Sequence, residues 1–418
     1  MHGNRITHIN DPGPLKVSPV LPILFLVLAA SGLGAFFYSA FTGTHVQRQH
    51  AWANFLVSGT FFWFLSMGAA AFLAINYIVS AKWFVAIKRV PESLASFSYR
   101  GGLIFPLLTI LGVAYLYPWA NSPFYQELWG IAAPDYPYEG TVKQFWLSPS
   151  VHYVKLVAYI VPLALMTFVL VKLSSTPEPH AEGPLKSKRL GYSIFFMTAF
   201  ALLFSFFAWE MLMSTEPKWF STMFGVYCFI GAFNASMALI MLLLFYLKTR
   251  TQYIPGRQMY DMGTYVMAFS TFMMYIGFSQ FMLIWYANLY DETFWYMKRY
   301  EGGWMFYTVA IPILKWVIPF FLLMPSPWRT KLWAQLVSCS AILVGQLMDL
   351  IYIVYPAYYP SLAAAWPSTG AIALNVLIFM GPLGLFGWST VTYLSSKSLV
   401  PVGDEDLLSS VNGDYLHA

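Results

Sequence analysis

Long apolar stretches recur along the whole chain, and they constrain the fold more than any other feature. A helix needs roughly 20 mostly apolar residues to cross a bilayer, whereas membrane strands alternate over about ten residues. The stretches here are continuous, so they predict membrane helices. We place ten spans at 18–42, 52–80, 98–119, 151–174, 190–213, 219–248, 259–290, 303–325, 331–354 and 368–395.

Composition agrees with this interpretation. Of the 418 residues, 58% are hydrophobic and only 10% are charged, whereas soluble domains carry about 25% charged residues. The sequence therefore predicts an all-α, polytopic integral membrane protein. The net charge of +5 is scattered over loops and does not indicate nucleic-acid binding. Cys228 and Cys339 stand alone in apolar stretches, which is typical of packed thiols.

The distribution of basic residues predicts the orientation. Sixteen of the 23 Lys and Arg residues fall on the side that holds both termini, five fall on the other side, and Lys155 and Lys315 lie within spans. The positive-inside bias then places both termini in the cytoplasm. We expect a cytoplasmic segment at 1–17, a transmembrane domain at 18–397 and a cytoplasmic acidic tail at 398–418. The acidic, aromatic loop at about 120–150 is typical of a protein-binding surface.

An approximate internal repeat relates spans that are four apart. Span three opens with Tyr99-Arg100-Gly101-Gly102 and span seven with Tyr260-Asp261-Met262-Gly263, while spans four and eight carry Pro162 and Pro319. Four helices are an even number, so such repeats would be parallel. We therefore expect two four-helix bundles, at about 52–213 and 219–354, with spans one and ten outside them.

Polar residues within the spans are the candidates for a site. An ionisable residue there costs about 2.5–3.5 kcal/mol on insertion scales, so each needs a partner or a role. Proton relays need groups that gain and lose a proton at low cost, and burial shifts the pKa of carboxylates and lysines toward neutrality. The candidates for a proton path are Glu210, Asp349, Lys315, Asp261, Lys155, His152, Gln280 and Gln346.

Structural alternatives exist for most of these candidates. Lys155, His152 and Arg100 lie near span ends, so their side chains could reach the headgroup region. The amides Gln280 and Gln346 are equally typical of hydrogen bonds between helices. Lys315 lies near mid-depth, so it requires an internal partner or a water-filled cavity.

Glu210 lies about one turn inside a span end, so it is either a boundary carboxylate or the exit group of a proton path. The second interpretation expects it to converge with His152, Lys155 and Asp349, which also lie near the outer ends of spans.

Redox cofactors are not expected on this chain. Haem in a four-helix bundle needs axial histidines within the spans. None of the seven histidines, at positions 2, 8, 45, 50, 152, 180 and 417, lies near mid-membrane. The chain also has no CxxC motif for an iron–sulfur cluster. We therefore expect no bound cofactor and no electron transfer by this chain itself.

Three stretches carry a family resemblance: EMLMSTEPKWFSTMFGVYCFIGAF (210–233), FSQFMLIWYANLYDETFWYMKR (278–299) and the run from Trp52 to Glu92. They resemble the NrfD-like membrane subunits of bacterial alternative complex III, and the ActF-type subunits more than the ActC-type. The resemblance extends over spans two to ten. The resemblance implies that the chain is a subunit of a quinol oxidoreductase in the bacterial inner membrane. Such a complex passes electrons from quinol to a cytochrome c-type acceptor in respiratory or photosynthetic electron transport.

The resemblance also implies partners and residue roles. In that family, partner subunits carry haem c and iron–sulfur clusters, the ActC-type paralogue is credited with the quinol site, and the ActF-type subunit is proposed to conduct protons. Glu210 stands where relatives hold an aspartate before the Met-Ser turn. Asp349 stands in a segment where His-x-x-Asp is expected, and Gln346 replaces that histidine. This replacement argues against a histidine-dependent proton step.

Three other functions fit the same residues. The chain could bind quinol itself, since aromatic residues make up 19% of it and could form the walls of a ring site. It could be a secondary transporter with a midplane site, or a structural scaffold whose buried charges have no role in proton transfer. A quinone photolabel on this chain would favour the first function, and purification without haem-bearing partners the second.

Overall fold

The computed structural model describes residue 6 and residues 8–120, 142–177, 183–254, 256–366, 368–404 and 406–414. This part of the chain is helical, and ten of its helices are long and apolar enough to cross a bilayer. The predicted all-α, multi-pass membrane fold is thus confirmed. In chain order the ten helices are α1 (Val20–Thr42), α2 (His45–Ile78), α3 (Arg89–Leu116), α4 (Pro149–Ser175), α5 (Pro184–Thr215), α6 (Phe224–Lys248), α7 (Gly256–Ala287), α8 (Met305–Leu323), α9 (Leu332–Ala357) and α10 (Thr369–Ser396).

Two helices begin well before their predicted starts. Helix α2 begins at His45 rather than 52 because Thr44 and Gln47 form a capping box, in which each side chain accepts a hydrogen bond from the other residue's backbone N–H. Helix α3 begins at Arg89 rather than 98, and it contains a π-helical turn at Ser98–Gly102. Most of the predicted loop at about 120–150 lies outside the described residues.

The helices pack around two central members. Helix α2 is almost entirely buried, and it packs against α6 as well as α3 and α5. Helix α6 also contacts α7 and α9, α8 packs on α9, and α4 packs on α5. Helix α1 runs along α10, where a Cβ atom on Gly32 would lie 2.1 Å from the backbone nitrogen of Gly381. This close approach requires glycine.

The segments before α1 and after α10 lie together on one face of the helices. The Leu15 N–H donates to Leu394 O and the Leu399 N–H donates to Gly13 O, both at 3.0 Å. Farther along, Asn412 Nδ2 donates to Ile6 O at 2.8 Å. We call this face the terminal side and the other face the opposite side. The compartment that each side faces remains a prediction.

Candidate functional site: two buried lysine–carboxylate clusters

The first cluster joins α6, α8 and α9, and we call it the Lys315 cluster. Lys315 Nζ lies 2.8 Å from Asp349 Oδ2 and donates to Gln346 Oε1, also at 2.8 Å. The Tyr227 hydroxyl donates to the second carboxylate oxygen, Asp349 Oδ1, at 2.6 Å. Lys315 and Asp349 are 2% and 1% exposed. The deep lysine therefore has a carboxylate, an amide and a phenol around it.

Local backbone geometry places Lys315 in this cluster. Helix α8 carries a π-helical turn at Ile313–Val317, directly after Pro312, which cannot donate a backbone hydrogen bond. Two glycines leave room for the lysine. A Cβ on Gly345 would lie 2.6 Å from Lys315 Cγ, and one on Gly231 would lie 3.4 Å from Lys315 Nζ. The bulge and the small residues together let α8 approach α6 and α9.

A cavity of about 580 Å³ adjoins the Lys315 cluster in the opposite-side half of α6–α9. Lys315 forms part of its wall. Phe278 on α7 and Met305 on α8 also line it and are about half exposed, so the cavity opens between these helices on the surface of the bundle. Aromatic and amide side chains in the wall include Tyr227, Gln280, Trp295, Tyr296, Trp316 and Tyr352.

The second cluster joins α4 and α5, and we call it the Glu210 cluster. Lys155 Nζ lies 2.6 Å from Glu210 Oε1, and His152 Nδ1 lies 3.1 Å from Glu210 Oε2. All three side chains are buried. The structure thus shows the Lys155 and His152 side chains turned into the protein, where both contact the Glu210 carboxylate, rather than extended away from the helices. Asp349 does not join them, contrary to the expected convergence, because it pairs with Lys315.

Aromatic rings enclose the Glu210 cluster. The His152 ring lies 5.0 Å from the Tyr117 ring and 5.1 Å from the Trp119 ring, between centroids. Lys155 Nζ lies 3.9 Å from the Trp146 ring centroid and donates to the Trp146 carbonyl at 2.7 Å. Among the described residues, His152 Nε2 has no hydrogen-bond partner. In this part of the chain, the hydrogen bonding of the cluster is therefore complete except at that nitrogen.

The two clusters have the same design. Each takes its lysine from the third helix and its carboxylate from the fourth helix of a consecutive set, α2–α5 or α6–α9. Each carboxylate lies toward the end of its helix on the opposite side: Glu210 near the end of α5 and Asp349 in the last third of α9. The approximate repeat thus coincides with a repeated ion pair.

The remaining predicted residues lie elsewhere. Asp261 is half-buried in the first two turns of α7, on the terminal side, and so lies away from both clusters. Gln280 Nε2 donates to Ser221 Oγ, in the segment between α5 and α6, at 3.2 Å, and Gln280 also lines the cavity. Arg100 is exposed and donates to Thr392 Oγ1 on α10.

Sequence reasoning missed a polar network on the terminal side. Lys88 and Arg89 were assigned to a loop, yet both are buried: Arg89 Nη1 lies 2.7 Å from Glu92 Oε2, and Lys88 Nζ lies 2.5 Å from Asp404 Oδ2. The reason for the error is the early start of α3, which takes in Arg89 and places Lys88 directly before its first turn. The i, i+3 spacing of Arg89 and Glu92 was the available signal.

A second missed network lies on the opposite side, outside the spans. The Arg299 guanidinium stacks 3.4 Å from the Trp295 ring centroid and donates to Glu216 Oε1 at 3.3 Å and to the Tyr352 and Ile353 carbonyls at 2.9 Å. Burial lowers the pKa of Arg299, and the Glu216 carboxylate opposes that shift. This network ties the segment after α5 to the end of α9.

Comparison with known proteins adds no assignment, because no family model matches the chain and no curated protein matches it either.

Proposed function

We propose that this chain is a proton-conducting membrane subunit of a quinol oxidoreductase. It would lie in the bacterial inner membrane beside an ActC-type paralogue and subunits that carry haem c and iron–sulfur clusters. The observation that carries the proposal is the repeated buried pair, Lys315 with Asp349 and Lys155 with Glu210. The family, the complex and its partners rest on the sequence resemblance.

The physical case concerns the cost of buried charge. Two ions removed from water lose several kcal/mol of solvation each, and apolar residues of similar volume are often at least as stabilising. A membrane protein that needed only packing would gain little from two such pairs. A proton-transfer function accounts for them, because a lysine–carboxylate pair is neutral while it holds one shared proton, on either group, and is charged only during the interval in which it passes that proton on.

The cavity beside Lys315 favours a second candidate function, the binding of quinol by this chain. Half of the residues that line the cavity are aromatic, the cavity opens between α7 and α8, and Lys315 and Tyr227 in its wall are potential partners for ring oxygens. Ligand sites commonly combine an apolar wall with a few polar groups of this kind. Photolabelling by a quinone analogue at Trp316 or Tyr296, suppressed by excess quinol, would support this function.

The test of proton conduction is Asp349→Asn in the assembled complex, because the amide keeps the shape but cannot titrate. We expect the complex to assemble, although less stably because Lys315 loses its carboxylate partner, and to oxidise quinol with fewer protons released per electron. The matched control is Asp291→Asn, the same change at an exposed position outside the spans. An unchanged proton-to-electron ratio in an assembled Asp349→Asn complex would contradict the proposal.

A further inference from the structure

Another buried carboxylate, Glu92, lies on the terminal side and has no part in either lysine cluster. Its side chain is fully buried, and three helices donate hydrogen bonds to it. Arg89 Nη1 donates to Oε2 at 2.7 Å, the Tyr393 hydroxyl donates to Oε2 at 2.9 Å, and Ser174 Oγ donates to Oε1 at 2.5 Å. Glu92 is thus fixed in position by α3, α4 and α10.

The hydrogen bond from Ser174 continues outward to α2. Ser174 Oγ lies 2.8 Å from the Tyr77 hydroxyl. A serine hydroxyl has one hydrogen, and Ser174 gives it to Glu92, which as a carboxylate can only accept. The Tyr77 hydroxyl must therefore donate to Ser174. The three groups form a directed chain in which every hydrogen points toward the Glu92 carboxylate.

This chain begins at a cavity. Half-buried Tyr77 lines a space of about 310 Å³ between α2, α5 and the segment that follows α10. Polar side chains in its wall include Asn76, Lys88, Arg189 and Asp404. The cavity lies where α2 ends and α5 begins, which is the terminal side. Its size and polar wall suit water, which needs polar partners and room for its own volume.

We propose that Glu92 is the proton-exchange group of this chain on the terminal side, loaded from the cavity through Tyr77 and Ser174. A hydronium ion in the cavity gives a proton to the Tyr77 oxygen and becomes water, as the Tyr77 O–H proton moves to Ser174 and the Ser174 O–H proton moves to Glu92. One proton is transferred in net, and both hydroxyls are neutral afterwards. The inference rests on the proposed proton-conducting function.

Charged and hydroxyl groups surround both ends of this route. Arg89 contacts the Glu92 carboxylate through one nitrogen only, since Arg89 Nε has no partner among the described residues. Tyr99 and Tyr393 are the other titratable groups that face Glu92. At the cavity, Arg189 lies over the Tyr77 ring, and Asp404 lies 2.5 Å from Lys88 and 3.6 Å from Arg189, which offsets their repulsion of an incoming proton.

The test measures exchange in the resting protein, so it does not depend on quinol turnover. The full chain in nanodiscs is acidified until infrared spectra show the C=O band of a protonated buried carboxylic acid. The sample is then transferred to D₂O, and the rate at which this band shifts gives the rate of hydrogen–deuterium exchange at the acid. Glu92→Gln, or Glu92→Asp if the first variant does not fold, assigns the band. We expect Tyr77→Phe to slow the shift by about 100-fold, the low end of what a positioned proton-transfer group contributes.

Tyr393→Phe is the matched control, because it removes another hydroxyl that donates to Glu92 but does not line the cavity. Its exchange should stay at the wild-type rate. Equal rates in Tyr77→Phe and Tyr393→Phe would overturn the route, and a band that never appears would overturn the role of Glu92. Either result is separate from the proton-to-electron ratio, which alone decides the proposed function.

Discussion

Removing one partner of the Lys315–Asp349 pair should destabilise the protein more than removing both. Lys315→Met keeps an unbranched chain of similar length but deletes the contacts to Asp349 and Gln346, both at 2.8 Å. Asp349 is then a buried charge whose remaining partner is the Tyr227 hydroxyl. Breaking a buried pair in this way costs about 3–5 kcal/mol, and Asp349→Leu should cost the same for the converse reason.

The double variant, Lys315→Met with Asp349→Leu, removes both charges. What then lacks a partner is the Tyr227 hydroxyl and Gln346 Oε1, and each unsatisfied buried group costs about 1–3 kcal/mol. Adding Tyr227→Phe removes the first of these unsatisfied groups, the Tyr227 hydroxyl. We therefore expect the double variant to be more stable than either single variant, and the triple variant to be more stable than the double.

Unfolding in mixed detergent micelles at increasing fractions of a denaturing detergent gives the order of stabilities. Lys331→Met is the control, because it makes the same change at an exposed residue directly before α9. If the two single effects simply add in the double variant, the ion pair does not couple these residues energetically, and the argument from buried charge fails.

Two other predictions concern the orientation of the chain and the contact between its terminal segments. Lys186 and Tyr290 are exposed and lie on opposite sides of the protein. An impermeant reagent should label a cysteine at Lys186 only from the cytoplasm and a cysteine at Tyr290 only from the outside. The reverse result would invert the predicted orientation. The Ser398 hydroxyl and the Gly13 N–H hold the pKa of Asp11 below its usual value. The folded state thus binds this proton less readily than the unfolded state, so the contribution of Asp11 is present above its usual pKa and is lost as the pH falls through the lowered value. Protection of the Leu399 amide against hydrogen exchange, corrected for the intrinsic rate, should fall over that acidic range, and it should show no such step in Asp11→Asn.

The number and type of the helices could be predicted because each membrane span is visible in the local sequence as a long apolar run. A continuous apolar run satisfies its own backbone only as a helix, so no tertiary information is needed. Helix ends are different, because they depend on caps and on pairing. The start of α2 depends on the Thr44–Gln47 capping box, and the start of α3 depends on the buried ion pair between Arg89 and Glu92. These polar residues lie outside the apolar stretches, so the apolar pattern does not reveal them.

The candidate residues could be identified from the sequence, but their grouping could not. A charged residue within a long apolar stretch is rare, so Lys315, Asp349 and Glu210 could be recognised as candidates from the sequence alone. Which of them meet depends on helix rotation and on local bulges. The π-helical turn at Ile313–Val317 turns Lys315 toward Asp349, and nothing in the local pattern indicates that turn.

An aromatic layer separates the polar groups on the two sides of α2–α5. Phe64 lies thirteen residues before Tyr77 on α2, which is about 20 Å along the helix axis. Its ring lies 5.2 Å from that of Phe204 and 6.4 Å from that of Phe207, both of which precede Glu210 on α5. Apolar constrictions of this kind exclude water and so block ions and protons. Under the proposed function, a proton that passes between these rings from the terminal side to Glu210 would need them to move apart. We therefore propose that conduction by this route requires a conformational change rather than a fixed chain of hydrogen bonds.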